Sequence, residues 1–223
     1  MTKEPLVLSW SGGKDSALTL HTILSQDKYE VRYLLTTVTK DYGRISMHGV
    51  REELLSEQVR RTSINSDIAY ISKGANNEEY ERVMMDRIKR YQGERIANVA
   101  FGDLFLEDIR KYREQRMSGT GIRCIFPLWG KDTTKLAHDF IKMGFKAILC
   151  TVDPKKLSKE FAGKEFDENF LSSLPQGVDP CGENGEFHTF VYEGPIYDSP
   201  IPIRRGETVL RDGFYFSDIL LRR

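Results

Sequence analysis

Six consecutive residues, Ser11-Gly12-Gly13-Lys14-Asp15-Ser16, carry the densest chemistry in this chain, and they follow directly on the apolar run Leu6-Val7-Leu8. The order predicts a buried strand, a glycine turn and then a helix. A helix start leaves backbone N–H groups without partners, and these amides together with the helix dipole favour an anion such as a phosphate chain. Gly12 and Gly13 adopt backbone angles that side-chained residues resist and let phosphate oxygens come close to the main chain. Lys14 adds a positive charge on a mobile side chain, and Ser9, Ser11 and Ser16 add hydroxyls. Asp15 has two readings, positioning a metal ion or capping the first helical turn. The spacing is not that of the Walker loop, which needs Gly-x-x-x-x-Gly-Lys-Ser/Thr.

A second cluster lies near the other end, Gly182-Glu183-Asn184-Gly185-Glu186-Phe187-His188-Thr189-Phe190-Val191. Two glutamates flank an Asn-Gly turn that leads into a strand beginning at Phe187. Carboxylates on such a turn hold Mg²⁺, orient an amine or act as a base; the dipeptide alone equally describes a plain hairpin turn with exposed glutamates. His188 reads either as a strand residue with a satisfied ring or as an acid/base group near neutrality.

The elements that must position these clusters follow from the apolar pattern. Short, mostly non-alternating runs at Leu6–Trp10, Val31–Val38, Asp67–Ile71, Asn98–Gly102, Ile125–Trp129 and Ala147–Val152 suit strands covered on both faces of a parallel sheet. Helical spacing fills the intervals: Ser16–Ser25 with a stripe of Ala17, Leu18, Leu20 and Leu24, then Val50–Arg61 and Glu78–Tyr91, and a helix capped by Asp132 that runs to Met143 and ends at Gly144. Repeated β–α units imply an α/β fold with right-handed crossovers, and ligands in such sheets bind at the carboxyl ends of the strands. Beyond about Asp153 the pattern weakens to a short helix at Asp167–Leu174, a Gly/Pro-rich stretch, and strands within Glu186–Tyr192 and Glu207–Leu221. The expected organisation is a nucleotide-binding domain over 1–153 and a smaller, strand-rich, substrate-side portion over 154–223.

With 223 residues, 39% hydrophobic and 30% charged, the chain suits a globular protein and not a mainly disordered one. Lys+Arg and Asp+Glu both total 33, so no global charge draws it to nucleic acid or membrane. The basic group Arg110, Lys111, Arg113 and Arg116 reads as a solvated helix face. No run has the length of a membrane span and none resembles a signal peptide, which predicts a cytoplasmic location. Cys124, Cys150 and Cys181 form no disulfide or Cys-x-x-Cys pattern; Cys124 and Cys150 read as buried thiols, while Cys181 differs in sitting in a glycine-rich segment beside candidate ligands, where a chemical role would need thiolate character. Tyr215–Leu221 is expected either to pair across a homodimer or to be an edge strand covered within one chain.

Ser-Gly-Gly-Lys-Asp-Ser after a strand resembles the pyrophosphate loop of the N-type ATP pyrophosphatases, which cleave ATP between its α- and β-phosphates. Combined with Gly-Glu-x-Gly-Glu-Phe-x-Thr-Phe near the end, it resembles the diphthine–ammonia ligase family. Gly102, Pro127-Leu128-Trp129-Gly130 and Gly144-Phe145 agree, and the resemblance covers nearly the whole chain. It implies an adenine nucleotide alpha hydrolase-like (Rossmann-like) α/β domain with a smaller strand-rich C-terminal portion. The implied reaction uses Mg·ATP and ammonia to form an amide on diphthine of elongation factor two, or on another carboxylate. Carried over residue by residue, Ser9 and Ser11 through Ser16 would hold the phosphates. Thr37 and Val38 would lie near the adenine, His48 on the nucleotide side, and Gly102 and Asp103 above the ribose and α-phosphate. Glu183 and Glu186 would face the acceptor or ammonia as catalytic groups beside Lys14 and Asp15. The chain departs from the family pattern at His188, where a glutamate is expected, and in the acidic stretch Gly102–Asp108. The competing functions are another ATP-pyrophosphatase reaction, such as RNA base modification, and a non-catalytic ATP or AMP sensor.

Overall fold

The computed structural model describes residues 2–222. Its first half is a six-stranded, largely parallel sheet. Strand β1 (Glu4–Ser9) lies between β2 (Tyr29–Thr39) and β5 (Asn98–Ala100), β6 (Arg123–Ile125) pairs with β5, and β4 (Asn65–Ile71) pairs with the far edge of β2. Residues of β1 alternate between two separate cores: Leu6 and Leu8 pack into one and Val7 into the other, and all three are buried. That double burial is why the run is continuously apolar.

Beyond Ser9, where β1 leaves the sheet, the short β3 (Arg44–Ile45) folds back antiparallel onto Val38 and Thr39 and takes over that edge of β2. Helices α1 (Lys14–Ser25), α2 (Glu52–Thr62), α3 (Asn77–Gly93) and α4 (Glu107–Met117) follow strands β1, β3, β4 and β5. In α1 the turn of the helix sends Ile23 into the core and leaves Leu24 exposed, which corrects the expected stripe.

The second sheet is antiparallel, in the order β8 (Phe187–Glu193), β7 (Lys146–Val152), β10 (Phe214–Leu221), β9 (Ile203–Arg211). The run Ala147–Val152 therefore belongs to this sheet and not to the parallel one. It is continuously apolar because it is buried in the same core as Phe140, Phe166 and Phe187. Ile125–Trp129 is a strand only up to Ile125; residues 127–130 form a turn that closes with the Gly130 N–H on the Leu104 carbonyl. Tyr215–Leu221 is paired within the chain: β10 pairs with β9 on one side and, through Tyr215 and Phe216, with Val152 and Thr151 of β7 on the other. The Asp212-Gly213 turn, with φ of 49° and 83°, splits Glu207–Leu221 into two strands.

Helix α5 (Thr133–Lys142) is capped as expected, its N-cap Asp132 carboxylate accepting from the Lys135 N–H over 2.7 Å. The short α6 (Glu168–Ser172) is capped by Asp167 in the same way. One core cluster joins residues of both sheets, from Leu8 and Trp10 to Phe140, Phe187 and Val191. The two halves are thus packed over a shared apolar interior.

Candidate active site

The site sits where strands β1 and β5 diverge toward helices on opposite sides, the crevice at which open α/β sheets bind ligands. A cavity of about 260 Å³ opens there, lined by Ser9, Ser11, Gly13, Lys14, Asp15, Ser16, His48, Gly102, Asp103 and Glu183 from the expected set. Arg113, Cys181, Phe187, His188 and Thr189 complete much of the wall.

The loop is more tightly bonded than its glycines suggest. Gly12, at φ 76°, points its carbonyl away from the cavity, where it accepts from the Val191 N–H at 2.9 Å and from Gln58 Nε2 at 2.8 Å. A Cβ at Gly12 would collide with Gln58 Oε1, and one at Gly13 would lie 2.9 Å from His48 Cε1. The Gly13 N–H donates to Ser11 Oγ over 3.3 Å and the Lys14 N–H to Thr189 Oγ1 over 3.0 Å, so two loop amides expected to be open are engaged within the protein.

Lys14 is not mobile. Its ammonium is buried and donates to both Asp15 carboxylate oxygens at 2.8 Å and to the Cys181 carbonyl. Burial pulls its pKa down, but Asp15 and the other nearby acidic groups outweigh that and hold it above the ordinary lysine value. Asp15 makes no capping bond; α1 begins at Gly13 without a side-chain cap, and the Asp15 carboxylate turns to Lys14 instead. Gly102 is required by packing as much as by any ligand, since a Cβ there would lie 3.1 Å from the Asp15 carbonyl carbon and 3.2 Å from Thr19 Oγ1.

Across the cavity, Glu183 is held by the Leu104 N–H, which donates to Oε1 at 2.7 Å. Burial raises its carboxyl to about 7, with the Leu104 bond opposing and Asp15 adding to the rise. Glu186 is different: it is buried, does not line the cavity, and accepts through Oε1 from the Asp179 N–H and from Asn184 Nδ2, both at 3.1 Å. Its partner Asp179 accepts in turn from the Cys181 and Glu183 N–H groups at 2.9 and 3.2 Å and from Thr133 Oγ1 at 2.6 Å. Glu186 thus shapes the turn that presents Glu183.

Thr37 and Val38 also lie off the cavity wall. Val38 is fully buried opposite Ile45, and the Thr37 carbonyl accepts from the Ser46 N–H at 3.0 Å, because β3 covers this end of β2. Cys181 is buried with its thiol pushed up to about 12, chiefly by burial, which leaves it inert as a nucleophile.

Three contributors were not evident from the sequence. Arg113 is no solvated residue: its guanidinium forks onto Asp103 (2.5 and 3.0 Å) and lies 4.4 Å from the Phe101 ring centre. Its spacing of four from Met117, the buried residue of α4, was the available signal. Thr189 binds the loop from β8. Gln58, fully buried on α2, accepts from Trp10 Nε1 at 3.1 Å and donates to the carbonyls of Gly12 and Val191, tying loop, helix and second sheet together.

His48 and His188 stack with ring centres 4.5 Å apart. His48 Nδ1 lies 3.2 Å from the Thr189 carbonyl. Burial, the neighbouring ring and Lys14 hold His48 well below the ordinary histidine value, and burial with Lys14 brings His188 to about 4, so both rings are neutral at physiological pH.

The family model described as diphthamide synthase N-terminal domain matches residues 5–124, and that described as diphthamide synthase C-terminal domain matches residues 132–219. A protein named diphthine–ammonia ligase from Danio rerio is 24% identical over 94% of this chain and 90% of its own length. One of the same name from Mus musculus is 24% identical over 96% and 88%. A third, from Schizosaccharomyces pombe, is 27% identical over 70% of this chain, which spans only 26% of that protein. A solved structure described as a predicted subunit of tRNA methyltransferase from Methanocaldococcus jannaschii covers 97% of both chains at 15% identity with a TM-score of 0.40, a likeness too loose to bear on function. With both domain models matched in order along its length, the chain belongs to the diphthamide synthase family.

Proposed function

We propose that this chain is an ATP-dependent, amide-forming ligase of diphthamide synthesis, with diphthine of elongation factor two, or a chemically similar carboxylate, as acceptor. The observation that carries the reading is the meeting of the Ser11–Ser16 loop and Glu183 on one cavity at the sheet's switch point. ATP lies with its phosphates along Ser9, Ser11, Gly13 and Ser16, beside the fixed charge of Lys14, and with His48, Gly102 and Asp103 bordering the nucleotide.

An acceptor carboxylate oxygen attacks the α-phosphorus, the bond to pyrophosphate breaks, and an acyl-adenylate forms. Ammonia then uses its lone pair to bond the acyl carbon, the carbon–oxygen bond to AMP breaks with its electrons going to AMP, and an N–H proton passes to the Glu183 carboxylate. Lys14 and the remaining loop donors stabilise charge on the departing pyrophosphate.

The donor chemistry fits Mg²⁺ held mainly by phosphate oxygens with one carboxylate, Asp15, which is 30% exposed and would share its oxygens between the ion and Lys14; both Asp103 oxygens are forked by Arg113. Among the described residues no cluster of three His, Cys, Asp or Glu side chains forms a metal cage. Bound Mg²⁺ would supply charge neutralisation on the phosphates.

The test is ATP–pyrophosphate isotope exchange with diphthine-bearing elongation factor two. Exchange that requires the acceptor but not ammonia supports an acyl-adenylate, and exchange that requires ammonia contradicts it.

A further inference from the structure

We infer that His48 and His188 form a subsite for neutral ammonia on the wall of the reaction cavity, an inference that rests on the amide-forming reading above. Both rings line the cavity and stack at 4.5 Å with 29° between their planes. The atom 3.2 Å from His48 Nδ1 is the Thr189 carbonyl oxygen, which only accepts. The proton therefore belongs on Nδ1, and Nε2 of the neutral ring is left as a bare acceptor. The His188 ring makes no hydrogen bond among the described residues, so it has acceptor capacity to spare, and neither ring is paired with a carboxylate.

The ionisable groups that share this cavity wall with the two rings are Lys14, Asp15, Asp103, Arg113, Cys181 and Glu183. Lys14, a buried ammonium fixed by Asp15 and Cys181, acts on both imidazoles, whereas no carboxylate acts strongly on either. A second cation placed against these rings is opposed by Lys14. Neutral ammonia is not opposed: it donates N–H bonds to imidazole nitrogen and keeps its lone pair free for the acyl carbon. Glu183, on the same cavity, is positioned to take the proton released when the C–N bond forms. The pair thus favours the reactive form of the co-substrate over ammonium, the form that dominates in neutral water.

Two measurements on the full chain test this. The first follows the histidine ring nitrogens by nuclear magnetic resonance in protein labelled with ¹⁵N-histidine. Ammonium chloride at alkaline pH, where neutral ammonia is abundant, should shift His48 Nε2 or the His188 ring saturably. Potassium chloride should not, and the ammonium titration should lose its effect near neutral pH in proportion to the neutral fraction. The second is a kinetic split. His188→Phe keeps a flat ring against His48 and removes its nitrogens; KM for ammonia should rise about tenfold while KM for ATP holds. A non-saturable response at alkaline pH, or an unchanged KM for ammonia in His188→Phe, overturns the subsite. Absence of ATP–pyrophosphate exchange in the native chain would instead overturn the ligase reading, and the ring-nitrogen titration still decides the subsite without any acceptor.

Discussion

The backbone N–H of Lys14 donates to Thr189 Oγ1 over 3.0 Å, so the first residue of α1 is held by a strand 175 positions further along the chain. A single hydroxyl on the second sheet thereby sets the geometry of a loop on the first. Thr189 is 3% exposed, and no water replaces it cheaply. Thr189→Val should lower stability by about 1–3 kcal/mol, because a buried donor is left unpaired, and Thr189→Ser should recover most of it. Denaturant unfolding of the three proteins checks this.

Gln58 makes the same connection from a third element. Gln58→Leu removes the acceptor of Trp10 Nε1 and the donor shared by the Gly12 and Val191 carbonyls, at a site with no solvent exposure. The expected destabilisation is on the order of 3 kcal/mol. It should be accompanied by a rise in KM for ATP, since the Gly12 carbonyl anchors the loop. A Gln58→Leu protein with native stability would contradict the role.

Glu183 provides a pH signature. Its carboxyl titrates near 7 in the folded chain against an ordinary 4.5, so the native state binds this proton more tightly than the unfolded state. Stability contributed by this group is present below about pH 4.5 and is lost as pH rises to about 7. Glu183→Gln, which keeps an acceptor for the Leu104 N–H, should be more stable than the native chain above neutrality and equal to it in acid. In the amide-forming half-reaction the rate should rise with pH through about 7 in the native protein, and this inflection should vanish in Glu183→Gln.

Glu186 separates position from chemistry. Glu186→Gln keeps an acceptor for the Asp179 N–H and should retain most turnover. Glu186→Leu orphans that amide and should cost about 2 kcal/mol, with activity falling as the turn carrying Glu183 loosens. Loss of activity in Glu186→Gln at native stability would mark Glu186 as a reacting group.

The strand, glycine turn and helix around Ser11–Ser16 were legible because the signals for all three are local. The alternation of strand and helix was legible up to Ile125 for the same reason. Ala147–Val152 misled because a strand buried on both faces has one appearance whether its neighbours run parallel or antiparallel; only the pairing with β8 and β10 decides. Glu183 and Glu186 are equivalent as letters. Which one faces the cavity depends on the φ of Gly182 and Gly185, 68° and 84°, and on the bonds to Asp179 and Leu104. Gln58 is a polar residue among polar neighbours in α2, and its burial exists only once the second sheet is in place. Thr37 and Val38 were displaced from the cavity by β3, two residues too short to announce a strand.

The most direct measurement is phosphorus magnetic resonance of the products formed from Mg·ATP, ammonia and diphthine-bearing elongation factor two. The account predicts AMP and pyrophosphate in equal amounts. It also predicts that Lys14→Met slows the reaction by about 2–4 kcal/mol of transition-state stabilisation, by analogy with loss of one preorganised donor. ADP and inorganic phosphate as products, or AMP formation undiminished in Lys14→Met, would contradict it.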